Sequence, residues 1–295
     1  MYAIGSDSQR AAAWHTWCDF HRRWYGTEDF LPLAREKVLN VSSMLRAGDY
    51  RSFKNYINIA YGTHLFEGYD MTEPMKNLKS KVIRAVERGM GPAAQAATFD
   101  LELVASTALG FDPVTAGGPV WPSTSLVVST LFLLGEIETA FAKMGHVAFD
   151  RQALLVHWRL PVSKTDPSAV GCTRTLGCTC SVTAASMCPY HELDKVIDHY
   201  EKSGAYDERR PLFGTSVGKM TKKKMVVKSM RCVARTAHQG TDKNNADEMM
   251  GHSLRIVGAQ HYAGLGFEMA IIEMLGRWGG SSIRRYVADA PLAKV

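Results

Sequence analysis

The sequence predicts a mainly α-helical protein with one small antiparallel β-sheet, an α+β fold in two parts. Three observations carry that expectation. Apolar and aromatic residues recur at spacings of three, four and seven early in the chain, beginning with Trp14, Trp17, Cys18, Phe20 and Trp24, which is the period of an amphipathic helix. One central stretch, Ala153 to Leu160 (ALLVHWRL), is rich in β-branched, aromatic and aliphatic residues. It is followed by the polar turn SKTDPSA and then Val170 to Leu176, the pattern of a β-hairpin. Beyond the hairpin, helical spacing returns.

In order, Leu31 to Leu45 and Tyr50 to Ala60 continue the helical pattern, with Gly48 and Gly62 read as breaks. Arg88 to Pro92 (RGMGP) has two Gly and a Pro in five residues and reads as a linker. The expected boundary therefore falls at residue 90, separating 1–90 from 91–295. A loop from Gly110 to Pro122 holds three Pro and three Gly, and Ser123 to Met144 reads as one buried helix. After the hairpin come helices at His191–Ser203, Lys222–Ala237, His252–Ala263, Phe267–Leu275 and, briefly, Ile283–Ala288.

Of the 295 residues, 46% are hydrophobic and 22% charged, a composition that argues against disorder. The formal net charge of +6 is compatible with a polyanionic partner. The longest apolar stretch, Leu126 to Leu134, is interrupted by Ser129 and Thr130 and is too short to span a bilayer. No membrane partner is expected. The N-terminal residues lack a basic-then-apolar leader pattern. The six Cys therefore suit a reducing intracellular compartment, the nucleus in a eukaryote and otherwise the cytoplasm.

Two clusters stand out. From Arg209 to Arg235 there are nine Lys or Arg and no acid. Within this run Lys224, Lys228, Arg231 and Arg235 share one helical stripe, backed by Val226, Met230, Val233 and Ala237 on the other. A basic stripe backed by an apolar one suits a helix lying on a DNA backbone; a solvated basic face is the plainer alternative. Cys178, Cys180, Cys188 and His191 supply four zinc-type ligands in 14 residues, enough to close a structural zinc site. The alternative is three buried thiols beside a helix-start His.

The most informative segment is GHSLRIVGAQHYAGLGFEMAIIEMLGRWGGSSIRRYV, Gly251 to Val287. His252 and Arg255 stand three apart, Leu-Gly-Arg-Trp follows at 275–278, and Tyr286 lies eight residues past Trp278. This order resembles the C-terminal half of the tyrosine recombinase (phage integrase) family. The family's signature is H-x-x-R, then a turn bearing His or Trp after Leu-Gly, then a nucleophilic Tyr. The GRWGS-like and RRYV-like flanks look closer to members from eukaryotic mobile elements than to classical phage enzymes.

The resemblance implies a two-part clamp on double-stranded DNA, with self-association on the DNA. Residues 1–90 would form a SAM-like core-DNA-binding domain and 91–295 the catalytic domain. DNA would be cut and rejoined through a 3′-phosphotyrosine on Tyr286, with no cofactor required for catalysis. His252, Arg255 and Trp278 would complete the site, with Arg277 a further phosphate contact. Lys164, in the hairpin turn, would be the general acid for the leaving 5′ oxygen.

One position departs from the family pattern. Its first catalytic Arg, in R-x-x-E, is replaced here by Gly135, while the Glu is kept as Glu138. Loss of one cationic donor at a phosphoryl centre costs roughly 10²–10³ in rate. DNA binding with slow cleavage is therefore expected. The competing readings are a catalytically inactive DNA-binding protein derived from a recombinase, and a zinc-stabilised interaction module.

Overall fold

The computed structural model describes residues 7–91, 95–107, 112–161, 171–239, 245–278 and 282–287. Two compact units divide the chain, Met1–Gln95 and Ala96–Val295.

The first unit is helical: α1 (Asp7–Tyr25), α2 (Arg35–Ala47), α3 (Phe53–Phe66) and α4 (Glu73–Glu87). Its core joins Trp17, Val38, Leu45, Phe53, Ile57, Tyr61 and Val82. Gly48 ends α2 as expected, but Gly62 does not end α3. A mid-helix Gly costs only about 0.5–1 kcal/mol relative to Ala, and Tyr61 and His64 on either side of it are buried, which outweighs that cost. α2 starts at Arg35 rather than near Leu31. Pro32 disfavours helical backbone in the residue before it.

The second unit opens with α5 (Leu101–Thr107) and α6 (Pro122–Leu131). Every residue of α6 is buried. One side of it meets the core of Phe132, Trp158, Leu193 and Phe213; the other side faces Met230, Val233 and Leu254. The expected single helix from Ser123 to Met144 is in fact two. Leu133 takes a left-handed φ of 53°, and a short α7 (Glu136–Ala140) begins afresh. Two bonds explain the break. The Tyr262 hydroxyl donates to the Leu131 carbonyl at 2.7 Å, occupying an acceptor that a continuing α6 would use. Glu138, at the third position of α7, accepts the Gly135 N–H at 2.8 Å, which nucleates a new helix start. Gly135 is thus a helix cap with φ of −91°, and the destabilisation expected of a Gly in a helix interior does not arise.

The hairpin is present, with an additional strand before it. β1 (Val147–Asp150), β2 (Leu155–Leu160) and β3 (Cys172–Gly177) pair antiparallel in the order β1-β2-β3. Val156, Trp158 and Leu160 point into the core while His157 and Arg159 alternate outward, the two-residue period of a half-buried strand. Trp158 is paired across the sheet with Arg174, so Arg174 also turns inward. It is buried and donates to the Phe132 carbonyl at 3.1 Å.

Helices α8 (Pro189–Lys202), α9 (Lys223–Ala237), α10 (Ser253–Gly264), α11 (Met269–Gly276) and α12 (Ser282–Tyr286) complete the unit. α10 crosses α6 at Gly258, where an added Cβ would lie 2.3 Å from the Thr130 carbonyl oxygen. Only Gly permits so close an approach, and it brings Arg255 on α10 alongside the start of α7. Among the described residues no helix is long and apolar enough to cross a membrane.

Candidate active site

Glu138 is the hub of the site. Its Oε2 accepts from Arg255 Nη2 at 2.7 Å and from the Gly135 N–H, and its Oε1 is bonded by Arg277 Nη2. All three side chains are largely buried. Two guanidiniums against one carboxylate leave about one unit of positive charge. The Nε–H groups of Arg255 and Arg277 are both buried without a partner among the described residues. Unpaired buried donors are costly, so these two are either a defect or a place kept for an anion. Burial pulls the Arg255 and Arg277 pKa values below the ordinary guanidinium range, but arginine stays charged in proteins.

Arg277 reaches Glu138 from an unusual backbone. It caps α11 in the left-handed region, φ 55° and ψ 40°, a position that Gly normally takes. For a non-Gly residue this costs on the order of 1 kcal/mol. Its neighbour Gly276 makes room for the Trp278 ring, since a Cβ there would lie 2.3 Å from the ring's Cε3. Trp278 folds back over Gly276 and meets the Tyr286 ring edge-on, with centroids 5.3 Å apart and planes at 75°. Tyr286 is also held through its carbonyl, which accepts from Gln260 Nε2 at 3.1 Å. Its phenol lies close enough to Arg255 to act electrostatically on that guanidinium.

Tyr262, the other tyrosine packed in this region, is unsuited to attack. Its hydroxyl is committed to the Leu131 carbonyl, and burial pushes its pKa upward.

The structure thus gathers Arg255, Arg277, Trp278 and Tyr286 from α10, the turn that follows α11, and α12. His252 caps α10 at its N-terminus and is exposed. Lys164 lies outside the described residues. Motif order favours Trp278 over Arg277 as the principal group of the Leu-Gly turn, yet it is the Arg277 guanidinium that joins Arg255 at Glu138. Glu138 is not among the site residues expected from the sequence; its retention in the R-x-x-E pattern is the one signal that marks it.

The four cations of the α9 stripe differ in their surroundings. Lys224 and Lys228 are exposed. Arg231 is not a free cation: its Nε and Nη2 donate to the Met249 carbonyl at 3.0 and 2.8 Å. Arg235 is paired with Asp247. The four zinc-type residues do converge, with ligand atoms of Cys178, Cys180, Cys188 and His191 all within 4.8 Å of one another.

No family model matches the chain, and no curated protein matches it in sequence. Its shape does match solved structures. A lambda integrase (75–356) dimer bound to a COC′ core site is 12% identical, with 99% of this chain and 93% of that chain covered and a TM-score of 0.62. XerH site-specific recombinase, in a post-cleavage complex with a palindromic difH substrate, is 15% identical over 88% of this chain and 69% of that one, at 0.59. The Tn1549 transposon integrase in complex with transposon right-end DNA is 12% identical over 89% and 82%, at 0.56. The expectation of a eukaryotic kind finds no support in these likenesses, whereas the transposon integrase among them is itself a mobile-element protein. The fold of this chain is that of the tyrosine recombinases.

Proposed function

We propose that this protein binds double-stranded DNA and cuts and rejoins it through Tyr286, with Arg277 standing in for the arginine missing at Gly135. The observation that carries the reading is the joining of Arg255 and Arg277 by Glu138, with the Tyr286 phenol in electrostatic reach of Arg255. A phosphodiester repels nucleophiles and develops further charge on its nonbridging oxygens during attack. Guanidiniums with unused N–H groups offset that charge. The Tyr286 oxygen forms a bond to phosphorus as the bond to the 5′ oxygen breaks. The phenolic proton leaves to water or His252, and the 5′ oxygen takes a proton from Lys164. The phosphotyrosine keeps the bond energy for rejoining.

Lys224 and Lys228 would rest on the DNA backbone, and the first unit would be a core-DNA-binding module. The lambda integrase structure is a dimer on its core site, which supports more than one copy of this chain on one duplex.

A second reading has its own observation. Glu138 cancels one of the two guanidinium charges, and Gly135 adds none, which favours a protein that binds without cutting. A suicide duplex, incubated with the intact chain and run on a denaturing gel, separates the two. A covalent adduct that disappears in Tyr286→Phe, with duplex affinity kept within a few-fold, supports cleavage by Tyr286. An adduct that persists in the variant removes Tyr286 from the chemistry. Tight duplex binding with no adduct from either protein establishes the second reading.

A further inference from the structure

We propose that Cys178, Cys180, Cys188 and His191 bind one zinc ion that staples the end of β3 to the start of α8. The sulfurs of Cys178, Cys180 and Cys188 lie 3.7, 3.2 and 3.3 Å from one atom, His191 Nδ1. Tetrahedral zinc, with sulfur at about 2.3 Å and nitrogen at about 2.0 Å, sets sulfur-to-nitrogen edges of about 3.5 Å. The observed separations fall on either side of that value.

Hydrogen bonding alone does not account for the convergence. A neutral imidazole nitrogen has one lone pair and can accept from one S–H, whereas three sulfurs crowd the same nitrogen here. A cation at the centre of the four resolves this, since each ligand then donates a lone pair to the ion. Three thiolates and an imidazole select zinc by softness and geometry, and four protein ligands leave no position open for catalysis. Binding releases the thiol protons.

The surroundings fit such a centre. The Thr179 N–H donates to Cys188 Sγ at 3.4 Å, the kind of outer contact that fixes a metal ligand. Cys188 and His191 sit at the N-terminus of the 14-residue α8, whose dipole favours the net negative charge of a zinc with three thiolates. Cys188 is fully buried against the core of the sheet, and Cys178 still follows the sheet, its N–H donating to the Leu154 carbonyl at 2.9 Å. Cys180 and His191 face solvent, which gives an ion a way in and a chelator a way to reach it.

The test measures metal in the intact chain, purified under reducing conditions without chelator. About one zinc per chain is expected. Cys180→Ser and His191→Ala should each cut retained zinc at least several-fold after dialysis, while Cys232→Ser should retain it in full. Because a variant can fail to fold, the unaltered chain is also refilled with cobalt. The thiolate charge-transfer band and visible bands of a tetrahedral ion are expected to appear and then to vanish when zinc is added. Less than about a tenth of a zinc per chain, before and after refilling, with no cobalt bands, overturns the proposal. So does a mass two hydrogens short of the reduced chain with a disulfide mapped to these cysteines.

Discussion

The charge centre at Glu138 and the sulfur cluster at His191 belong to the same unit and are built on opposite principles. In the first, two cations gather on one carboxylate and keep N–H groups in reserve. In the second, three sulfurs gather on one nitrogen and, with a metal among them, nothing is left over. An arrangement with spare donors can act on something that arrives; one with every position filled can only hold its own chain together. Convergence of polar groups is therefore not by itself a sign of chemistry, and the capacity left after mutual pairing is the better guide.

The sharpest way to break this contrast is to remove one cation from the open centre. Arg277→Ala should slow adduct formation by roughly 10²–10³ while changing duplex affinity only a few-fold, because the lost donor acts chiefly in the transition state. Gly135→Arg should then restore at least about tenfold of the loss in the Arg277→Ala background. The first side-chain atom has room, since a Cβ at Gly135 would meet Arg255 Nε at 3.6 Å, an ordinary contact. The same change should help the unaltered chain less, because the two arginines would serve the same oxygen. Single-turnover cleavage of a suicide duplex measures all four proteins. Equal rates with and without Arg277 would end its role as the substitute.

A smaller effect should come from cations that no carboxylate among the described residues restrains. Neutralising Lys224 and Lys228 together should weaken binding to every duplex by roughly tenfold and flatten the slope of log affinity against log salt by about two units at most. The rate of cleavage at saturating DNA should stay the same. A salt titration that leaves the slope where it was would assign α9 to some other surface.

The smallest effect concerns a polar group that is neither open nor part of a cluster. His21 is buried in the first unit, and its pKa is lowered, first by burial and then by the positive charge of Lys37. The unfolded chain therefore takes up a proton at a higher pH than the folded one. Stability is whole above the ordinary value of 6.5 and declines as pH falls below it. Amide exchange across α1 in the intact chain, corrected for its intrinsic pH dependence, should quicken on acidification, and His21→Leu should blunt that trend. An unchanged trend would place the sensitivity elsewhere.

Much of the fold is legible in the sequence because most elements have one dry face and one wet face. α8, α9 and α11 lie close to the expected bounds for this reason, and so does the hairpin. The break after α6 is not legible. Leu126 to Leu134 is buried on every side, so no period marks where the helix ends, and the bond that ends it comes from Tyr262, 131 residues away. The extra strand β1 is short, four residues, and needs β2 beside it to show. In the site, Tyr286 and Arg255 are legible from motif order. The commitment of Arg231 to a backbone carbonyl is not, since a stripe of like charges says nothing of which member turns inward to cap a neighbouring loop.

The bonds at Glu138 span 117 residues to Arg255 and 139 to Arg277. As a ribosome makes the chain, the carboxylate is therefore in place long before either arginine. A chain halted anywhere short of residue 277 would already carry Lys224 and Lys228 once past α9 and could settle on DNA, yet it would lack the second guanidinium. Under the proposed mechanism, such unfinished chains can occupy the duplex without cutting it, and the power to break a strand comes only once residues 277 to 286 have been added.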